Sequence, residues 1–479
     1  MPPFVRSLTL LALGGALLAP AEDLPSVGLG TDGPAAVYAR LCADCHGANL
    51  EGGKGTSLLG GLKHGDDAPA LSQAIIAGFP LTGMPAIGGA LDAGEIHSLV
   101  VFLREARAHR VVPGPAASLD QQAIRHSEKH SYRIEAVVQD GLQVPWSFDW
   151  LPDGRILLTE RIGRLRVIKD GKLLPDPVAG IPEVIERGEG GLMAVRVAPD
   201  YAESGWIYLT FSDPGAPGHA MTKIVRGKLD GNRLSAIETI FSLPKEKYQE
   251  GYVLFGSRLE FDRGYLFFTV GERGQTGDAQ KLEVPNGKVH RVRPDGSVPS
   301  DNPYADTPGA WGSIWSLGHR NPQGLAINPA THEIWESEHG PRGGDELNYV
   351  VAGKNYGWPV ITHGIDYDGT PISDRTAAPR LEQPVRHWTP SLAVSPVAFY
   401  TGDQFPGWKG HLFLGSLATQ KLTRFEVDGD KVIHEEEIFT HLGRVRDIRT
   451  GPDGYLYVAL EQIGTASGWL VRLVPAAPR

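Results

Sequence analysis

From about residue 131 onward, apolar and polar positions alternate in short runs, each introduced by a glycine-containing turn or polar loop. The clearest run is Pro152-Asp153-Gly154-Arg155-Ile156-Leu157-Leu158-Thr159. It recurs as Gly205-Trp206-Ile207-Tyr208-Leu209-Thr210 and Gly264-Tyr265-Leu266-Phe267-Phe268-Thr269-Val270. A weaker copy, Thr331-His332-Glu333-Ile334-Trp335-Glu336, is followed by Gly410-His411-Leu412-Phe413-Leu414-Gly415 and Gly454-Tyr455-Leu456-Tyr457-Val458-Ala459. Each reads as a turn followed by a β-strand. The copies lie roughly 60 residues apart on average, the size of a four-stranded propeller blade with long loops. The spacing is uneven, so the repeat is one of shape. A β-sandwich would also alternate, but six similar units favour a mainly β fold, a six-bladed β-propeller.

The pattern ahead of this region is helical. Segments 34–41, 71–78 and 92–109 read as helices, the last with Ile96, Leu99, Val100 and Leu103 at helical spacing and Asp92 as N-cap. Between the first two stands Cys42-Ala43-Asp44-Cys45-His46, which holds the only two cysteines of the chain. This is the C-x-x-C-H pattern of covalent haem attachment: two thiols add to one haem, and His46 lies beneath the iron as an axial ligand. A redox disulfide would want a strand before and a helix after, whereas 47–55 is glycine-rich. A zinc site would need a second ligand pair, and none stands at suitable spacing. Met84, in Thr82-Gly83-Met84-Pro85, is the expected sixth ligand. His64 and His97 are the alternatives, with His97 read as ordinary helix surface. The segment resembles a class I cytochrome c. Val111-Val112-Pro113-Gly114-Pro115-Ala116-Ala117-Ser118 reads as a semi-stiff linker that keeps the haem near the β domain.

The first residues combine Arg6, an apolar stretch over 8–18 and Ala19-Pro20-Ala21, the layout of a secretory signal with cleavage near Glu22. The stretch is too short to span a bilayer, so an exported, soluble, periplasmic product is expected, consistent with haem c. The expected division is 1–21 signal, 22–110 cytochrome, 111–130 linker and 131–479 propeller. A formal net charge of −10 argues against nucleic acid or anionic membrane as partner. With 41% hydrophobic residues, disorder is excluded.

Four loop segments carry chemical groups: 186–191, 318–324, 337–348 and 443–447. Arg320, Arg444 and Arg446 would make a cationic cluster suited to a ligand with several carboxylates. The acidic, carbonyl-rich stretch 338–348 suits calcium, a hard ion that takes oxygen ligands.

The long motifs Gly318-His319-Arg320-Asn321-Pro322-Gln323-Gly324 and Ser337-Glu338-His339-Gly340-Pro341-Arg342-Gly343-Gly344-Asp345-Glu346-Leu347-Asn348 resemble the soluble PQQ-dependent glucose/sorbosone (aldose sugar) dehydrogenases. So do Asn355-Tyr356-Gly357-Trp358-Pro359, Gly271-Glu272-Arg273-Gly274-Gln275 and Arg444-Val445-Arg446-Asp447. The resemblance spans nearly all of 131–475 and implies a six-bladed propeller. It implies that Arg320, Asn321, Arg444 and Arg446 hold the quinone, and that the backbone oxygens of Gly340 and Pro341 bind its calcium. Glu189 falls where the family often has Gln. The family's lysine is Ala418 here, and the family's general-base histidine is Leu254. These readings imply oxidation of an aldose or related alcohol, with Glu189 and Arg320 at the reacting centre. Electrons would pass to the chain's own haem and on to a respiratory acceptor. Leu254 instead favours a non-catalytic propeller that binds a sugar or partner. A calcium-dependent lactonase would need neither the arginines nor the haem.

Overall fold

A computed structural model describes residues 34–108, 118–463 and 465–476. The expected signal segment, residues 109–110 and the first part of the expected linker, 111–117, lie outside these.

Among the described residues, six antiparallel sheets, four of four strands and two of five, surround a central axis. Their inner strands are Pro145–Trp150, Leu192–Val197, Gly256–Asp262, Pro322–Ile327, Val394–Phe399 and Arg444–Thr450, heading blades 1 to 6 in order. Each inner strand touches the next, and the sixth touches the first, so the ring is closed. All six turn–strand runs of the sequence are the second strands of the six blades, such as Ile156–Glu160 and Leu456–Gln462. A second strand lies mid-blade with a neighbouring blade on each face, and Ile156–Glu160 and Leu412–Ser416 are buried throughout. The turn before it is tight: Leu151 N–H donates to Arg155 O (2.8 Å), and Gly154 takes φ +85°, where a side chain would be strained.

Blade 6 is completed by the strand Ser131–Leu142, which pairs antiparallel with the last strand, Ser467–Pro475, in the register Tyr132↔Pro475 and Ile134↔Leu473. The start of the propeller thus fastens its end. The segment 118–130, expected as linker, is part of this closure rather than free chain. Arg125–His126 pairs with Tyr132 and Ser131, and Gln121 Oε1 accepts from Ala136 N–H (2.9 Å). Leu119 packs on the core between blades 5 and 6.

Among the described residues, four α-helices precede the propeller: α1 (Pro34–Leu41), α2 (Ala43–His46), α3 (Ala68–Ala77) and α4 (Ala93–Ala108). α3 begins earlier than the apolar pattern predicts, because Asp67 caps it by accepting from Ala70 N–H (2.8 Å). Asp92 caps α4 in a reciprocal box: Asp92 Oδ1 accepts from Glu95 N–H (2.8 Å), and Glu95 Oε2 from Asp92 N–H (2.9 Å). Val37 and Tyr38 of α1, Leu71 and Ile75 of α3, and Ile96, Leu99, Val100 and Leu103 of α4 form one small core. Among the described residues, no helix is long and apolar enough to cross a membrane.

Charge fills the propeller axis. Arg258 of blade 3 is 1% exposed and donates from Nη1 to Asp447 Oδ1 of blade 6 (3.1 Å), from Nε to Gln323 O of blade 4 (2.6 Å) and from Nη2 to Arg446 O (2.5 Å). Asp447 Oδ2 accepts from Ser147 Oγ (2.8 Å) and Phe148 N–H (3.1 Å) of blade 1. The guanidinium also lies 4.2 Å from the Trp146 ring. Removing one partner of a buried pair strands the other charge. Asp447→Ala is therefore expected to lower the unfolding free energy by about 3–5 kcal/mol in urea titrations; a loss under about 1 kcal/mol would show that the pair does not hold the ring.

Candidate functional site

The loops that lead into the inner strands open at the same end of the propeller as the turns between second and third strands. This topology collects the predicted residues. Glu189 precedes the inner strand of blade 2, Leu254 that of blade 3, and Arg320 and Asn321 that of blade 4; Arg444 and Arg446 open that of blade 6. Gly340 and Pro341 lie in the turn after the second strand of blade 4 (Ile334–Glu338), and Ala418 in the equivalent turn of blade 5.

Glu189, Leu254 and Asn321 are in direct contact. Glu189 Oε2 accepts from Leu254 N–H (2.8 Å) and from Asn321 Nδ2 (3.5 Å), while Asn321 Oδ1 accepts from Gly256 N–H (3.1 Å). Leu254 is buried and holds φ +57°, a left-handed conformation unusual for leucine; Gly256 (+65°) and Ser257 (+91°) continue the strained turn. Such strain concentrates where the surroundings over-determine the backbone. Arg320 donates from Nη1 to His339 O (3.1 Å) and Gly340 O (3.0 Å), so it meets the turn of Gly340 and Pro341 directly. Gly340 has no room for a side chain: a Cβ would stand 2.1 Å from Gly343 O. Arg446 donates from Nε to Glu461 Oε2 (2.7 Å), and Arg444 Nη1 lies 3.8 Å from Glu461 Oε1. Burial works to raise the Glu461 pKa, but Arg446, Arg444 and Arg161 outweigh it and hold the carboxyl below its ordinary range. Ala418 is exposed and offers no side-chain donor.

The structure adds residues that the sequence reading did not single out. Arg161, in the turn after the second strand of blade 1, donates to Gly188 O (3.0 Å) beside Glu189. His339 is held neutral, its pKa pushed down to about 3 by burial and then by Arg320 and Arg446, and its buried Nε2 has no partner among the described residues. Glu272 is 1% exposed, with one oxygen unpartnered among the described residues; burial pushes it up to about 7 against the pull of Arg320 and Arg273. Arg161, Glu272, His339 and Glu461 all stand at or just beyond the end of a second strand. The repeat itself was the signal that could have located them.

Beneath the Gly340 turn lies a concentration of acid. Asn348 Nδ2 donates to Glu336 Oε2 (3.1 Å), Glu338 Oε1 (3.2 Å) and Glu346 Oε2 (3.3 Å). His319 Nδ1 is 3.3 Å from Glu338 Oε1. Burial, then Glu338, pushes Glu336 and Glu346 well above the carboxylate range, while Glu336 Oε1 and Asn348 Oδ1 are buried without partners among the described residues. Arg320, Glu338, Gly340, Glu346 and Tyr356 line a cavity of about 10 Å³ there. Beside it, one donor atom each of His319, Glu336 and Glu338 lie within 4.8 Å of one another, an arrangement that fits a cation. The unpartnered, buried Nε of Arg444, in a side chain otherwise 40% exposed at the mouth, likewise fits a polyanionic ligand.

In the helical domain, His46 Nδ1 lies 2.8 Å from Thr56 O. Donation to that carbonyl puts the proton on Nδ1 and leaves Nε2 free for iron. Cys42 and Cys45 are half-buried, and burial, then Cys45, pushes the Cys42 thiol up to about 11. A redox C-x-x-C pair has a lowered pKa instead. Met84 is half-buried in a two-residue ladder with Phe79 (Phe79 N–H to Met84 O, 2.9 Å). Of the alternatives to it, His64 stacks on Phe79 with ring centroids 4.1 Å apart. His97 is not ordinary surface: its Nε2 meets Gly364 O of the propeller at 3.3 Å.

Because Glu272 has a higher pKa folded than unfolded, its contribution to stability is lost as pH rises from about 4.5 through about 7. Glu272→Gln lacks that loss. Denaturant titrations at pH 5 and 8 should show the variant gaining on the natural protein by up to about 3 kcal/mol; a pH-independent difference would contradict the assignment.

Comparison with known proteins agrees with this architecture. Residues 142–472 match the family model described as Glucose / Sorbosone dehydrogenase, and residues 31–103 that of Cytochrome C oxidase, cbb3-type, subunit III. The chain is 44% identical over 347 residues to the aldose sugar dehydrogenase YliI of Escherichia coli K12, covering 71% of this chain and 92% of that one. It is 30% identical over 274 residues to the quinoprotein glucose dehydrogenase B of Acinetobacter calcoaceticus, covering 50% and 55%. The apo crystal structure of the soluble E. coli aldose sugar dehydrogenase superposes with a TM-score of 0.66 at 42% identity, over 72% of this chain and all of that one. The PQQ-bound aldose sugar dehydrogenase of Streptomyces coelicolor gives 0.59 at 25% identity, over 74% and 99%. The chain belongs to the glucose/sorbosone dehydrogenase family and carries a cytochrome c domain ahead of its propeller.

Proposed function

We propose that the propeller oxidises an aldose or related alcohol with PQQ and calcium, and that the electrons pass to a covalent haem c in the same chain and then to a respiratory acceptor. The observation that carries this reading is the meeting of Arg320, Asn321, Arg444, Arg446 and Glu189 at one mouth of the propeller, above a cation-fitting pocket. The PQQ-bound relative and the aldose sugar dehydrogenases among the matches support it. With the signal-like first residues, it describes an exported, periplasmic enzyme.

Arg444, Arg446 and Arg320 would bind the cofactor's carboxylates, and Asn321 its ring oxygens. The carbonyls of Gly340 and Pro341 would hold the calcium against it, with the acidic cluster of Glu336, Glu338 and Glu346 beneath as a second calcium-fitting position. When bound, PQQ supplies a carbonyl carbon that accepts hydride, and the calcium polarises it. Proton removal falls to the chain. Leu254 has no basic atom, but Glu189 places a carboxylate oxygen on the Leu254 backbone itself. Glu189 is exposed toward the mouth and would take the proton of the C1 hydroxyl. In the haem domain, Cys42 and Cys45 would carry the macrocycle between His46 and Met84.

A non-catalytic, sugar- or partner-binding propeller is the second reading, favoured by Leu254 alone. Two variants separate the readings. Arg446→Ala should weaken PQQ binding about 10- to 100-fold in a fluorescence titration. Glu189→Gln should keep that affinity but lower dye-linked aldose oxidation about 100-fold or more. Undiminished PQQ affinity in Arg446→Ala would sink the cofactor assignment, and unchanged turnover in Glu189→Gln the base assignment.

A further inference from the structure

Helix α4 is buried on two sides. Ile96, Leu99, Val100 and Leu103 face the core of the cytochrome domain. Gly94, Ser98, Val101 and Glu105 are also buried but lie outside that core. Their spacing of four, three and four residues marks a second stripe along the helix. What covers it is the propeller. A Cβ on Gly94 would come within 3.1 Å of Pro371 Cγ, and His97, beside the stripe, meets Gly364 O. Glu105 Oε2 accepts from Arg342 Nε at 2.5 Å, with the two side chains only 8% and 25% exposed.

The propeller surface under α4 belongs to the site. Arg342 lies two residues beyond Gly340, whose carbonyl accepts from Arg320. Arg342 and Ile365 exchange backbone hydrogen bonds of 3.1 Å, which knits the 339–345 turn to the segment that His97 touches. One short path, Glu105–Arg342–Gly340–Arg320, therefore runs from the cytochrome helix to the cofactor loop. The other titratable groups at the junction are His97, His363, His387 and Arg104. His363 and His387 stack 3.7 Å apart, and burial lowers the pKa of all three histidines, that of His363 to about 3. Arg104 bears on His387 and is itself half-buried. Among these groups, Glu105 and Arg342 are the directly bonded pair of opposite charge.

We propose that α4 and the 339–345 turn form the electron-transfer interface of the chain, with the Glu105–Arg342 ion pair as the positioning contact that docks the haem domain beside the cofactor loop. The redox part rests on the function proposed above. Oxidation of one substrate hydroxyl to the carbonyl level releases two electrons and two protons. The electrons cross this interface singly, each turning one ferric haem ferrous, and the protons leave to solvent. An external one-electron acceptor protein reoxidises the haem between the two transfers, whereas a small dye takes electrons from the propeller directly.

The test compares Glu105→Arg, Arg342→Glu and the double exchange, each in the full chain with haem attached. Without PQQ, small-angle scattering should show the single variants more extended than the natural protein and the double exchange compact again. With PQQ, calcium and aldose, Glu105→Arg should keep dye-linked sugar oxidation while sugar-driven haem reduction slows by about tenfold or more, recovered in the double exchange. Single variants as compact as the natural protein, or an unchanged rate of haem reduction in them, would overturn the proposal. Absence of sugar oxidation in the natural protein would count against the proposed function instead, and scattering would still decide whether the ion pair docks the domains.

Discussion

One buried guanidinium organises the propeller. Arg258 reaches across the axis from blade 3 to Asp447 of blade 6 and binds the backbone carbonyls of Gln323 and Arg446. Gln323 is two residues from Asn321, and Arg446 is itself a candidate ligand of the cofactor. The contact that closes the axis therefore also fixes the height and direction of two sides of the mouth. Asp447 extends the clamp to blade 1 through Ser147 and Phe148. Since an ion pair taken from water gains little net stability, its value here lies in setting register among blades whose apolar contacts would tolerate small slips.

Above this clamp the mouth holds groups that a merely stable protein would avoid. Leu254 and Ser257 sit in left-handed conformations, Glu272 and Glu336 each keep a buried oxygen with no partner among the described residues, and three carboxylates crowd around Asn348. Each raises the free energy of the folded state, and the rigid ring of inner strands is what sustains them. A cation among the carboxylates and an anion against the arginines would remove much of that cost. The same loop region contacts the cytochrome domain, through Arg342 to Glu105 and through Gly364 to His97.

Much of this was legible in the sequence because the second strand of each blade is sandwiched on both faces and must be apolar. The outer strands, such as Lys431–Phe439, have mostly exposed or half-buried residues, and their pattern resembles loop. Arg320, Asn321, Glu189, Arg444 and Arg446 were legible through long motifs. Glu272, His339 and Arg161 were not singled out, since their character comes from burial and from charges on other blades. The closing segment 118–130 looked like linker because its hydrogen bonds go to residues more distant in the chain, Glu436 among them. His97 looked like surface because its partner, Gly364, lies in another domain.

The central claim is that sugar oxidation and haem reduction occur in one molecule. The direct measurement is the haem α-band of the oxidised protein, loaded with PQQ and calcium and mixed with aldose in a stopped-flow cell over a wide range of protein concentration. The account predicts reduction that needs PQQ, calcium and sugar together, with a first-order rate independent of protein concentration. A haem that dithionite reduces but sugar does not, or a rate proportional to protein concentration, would contradict it.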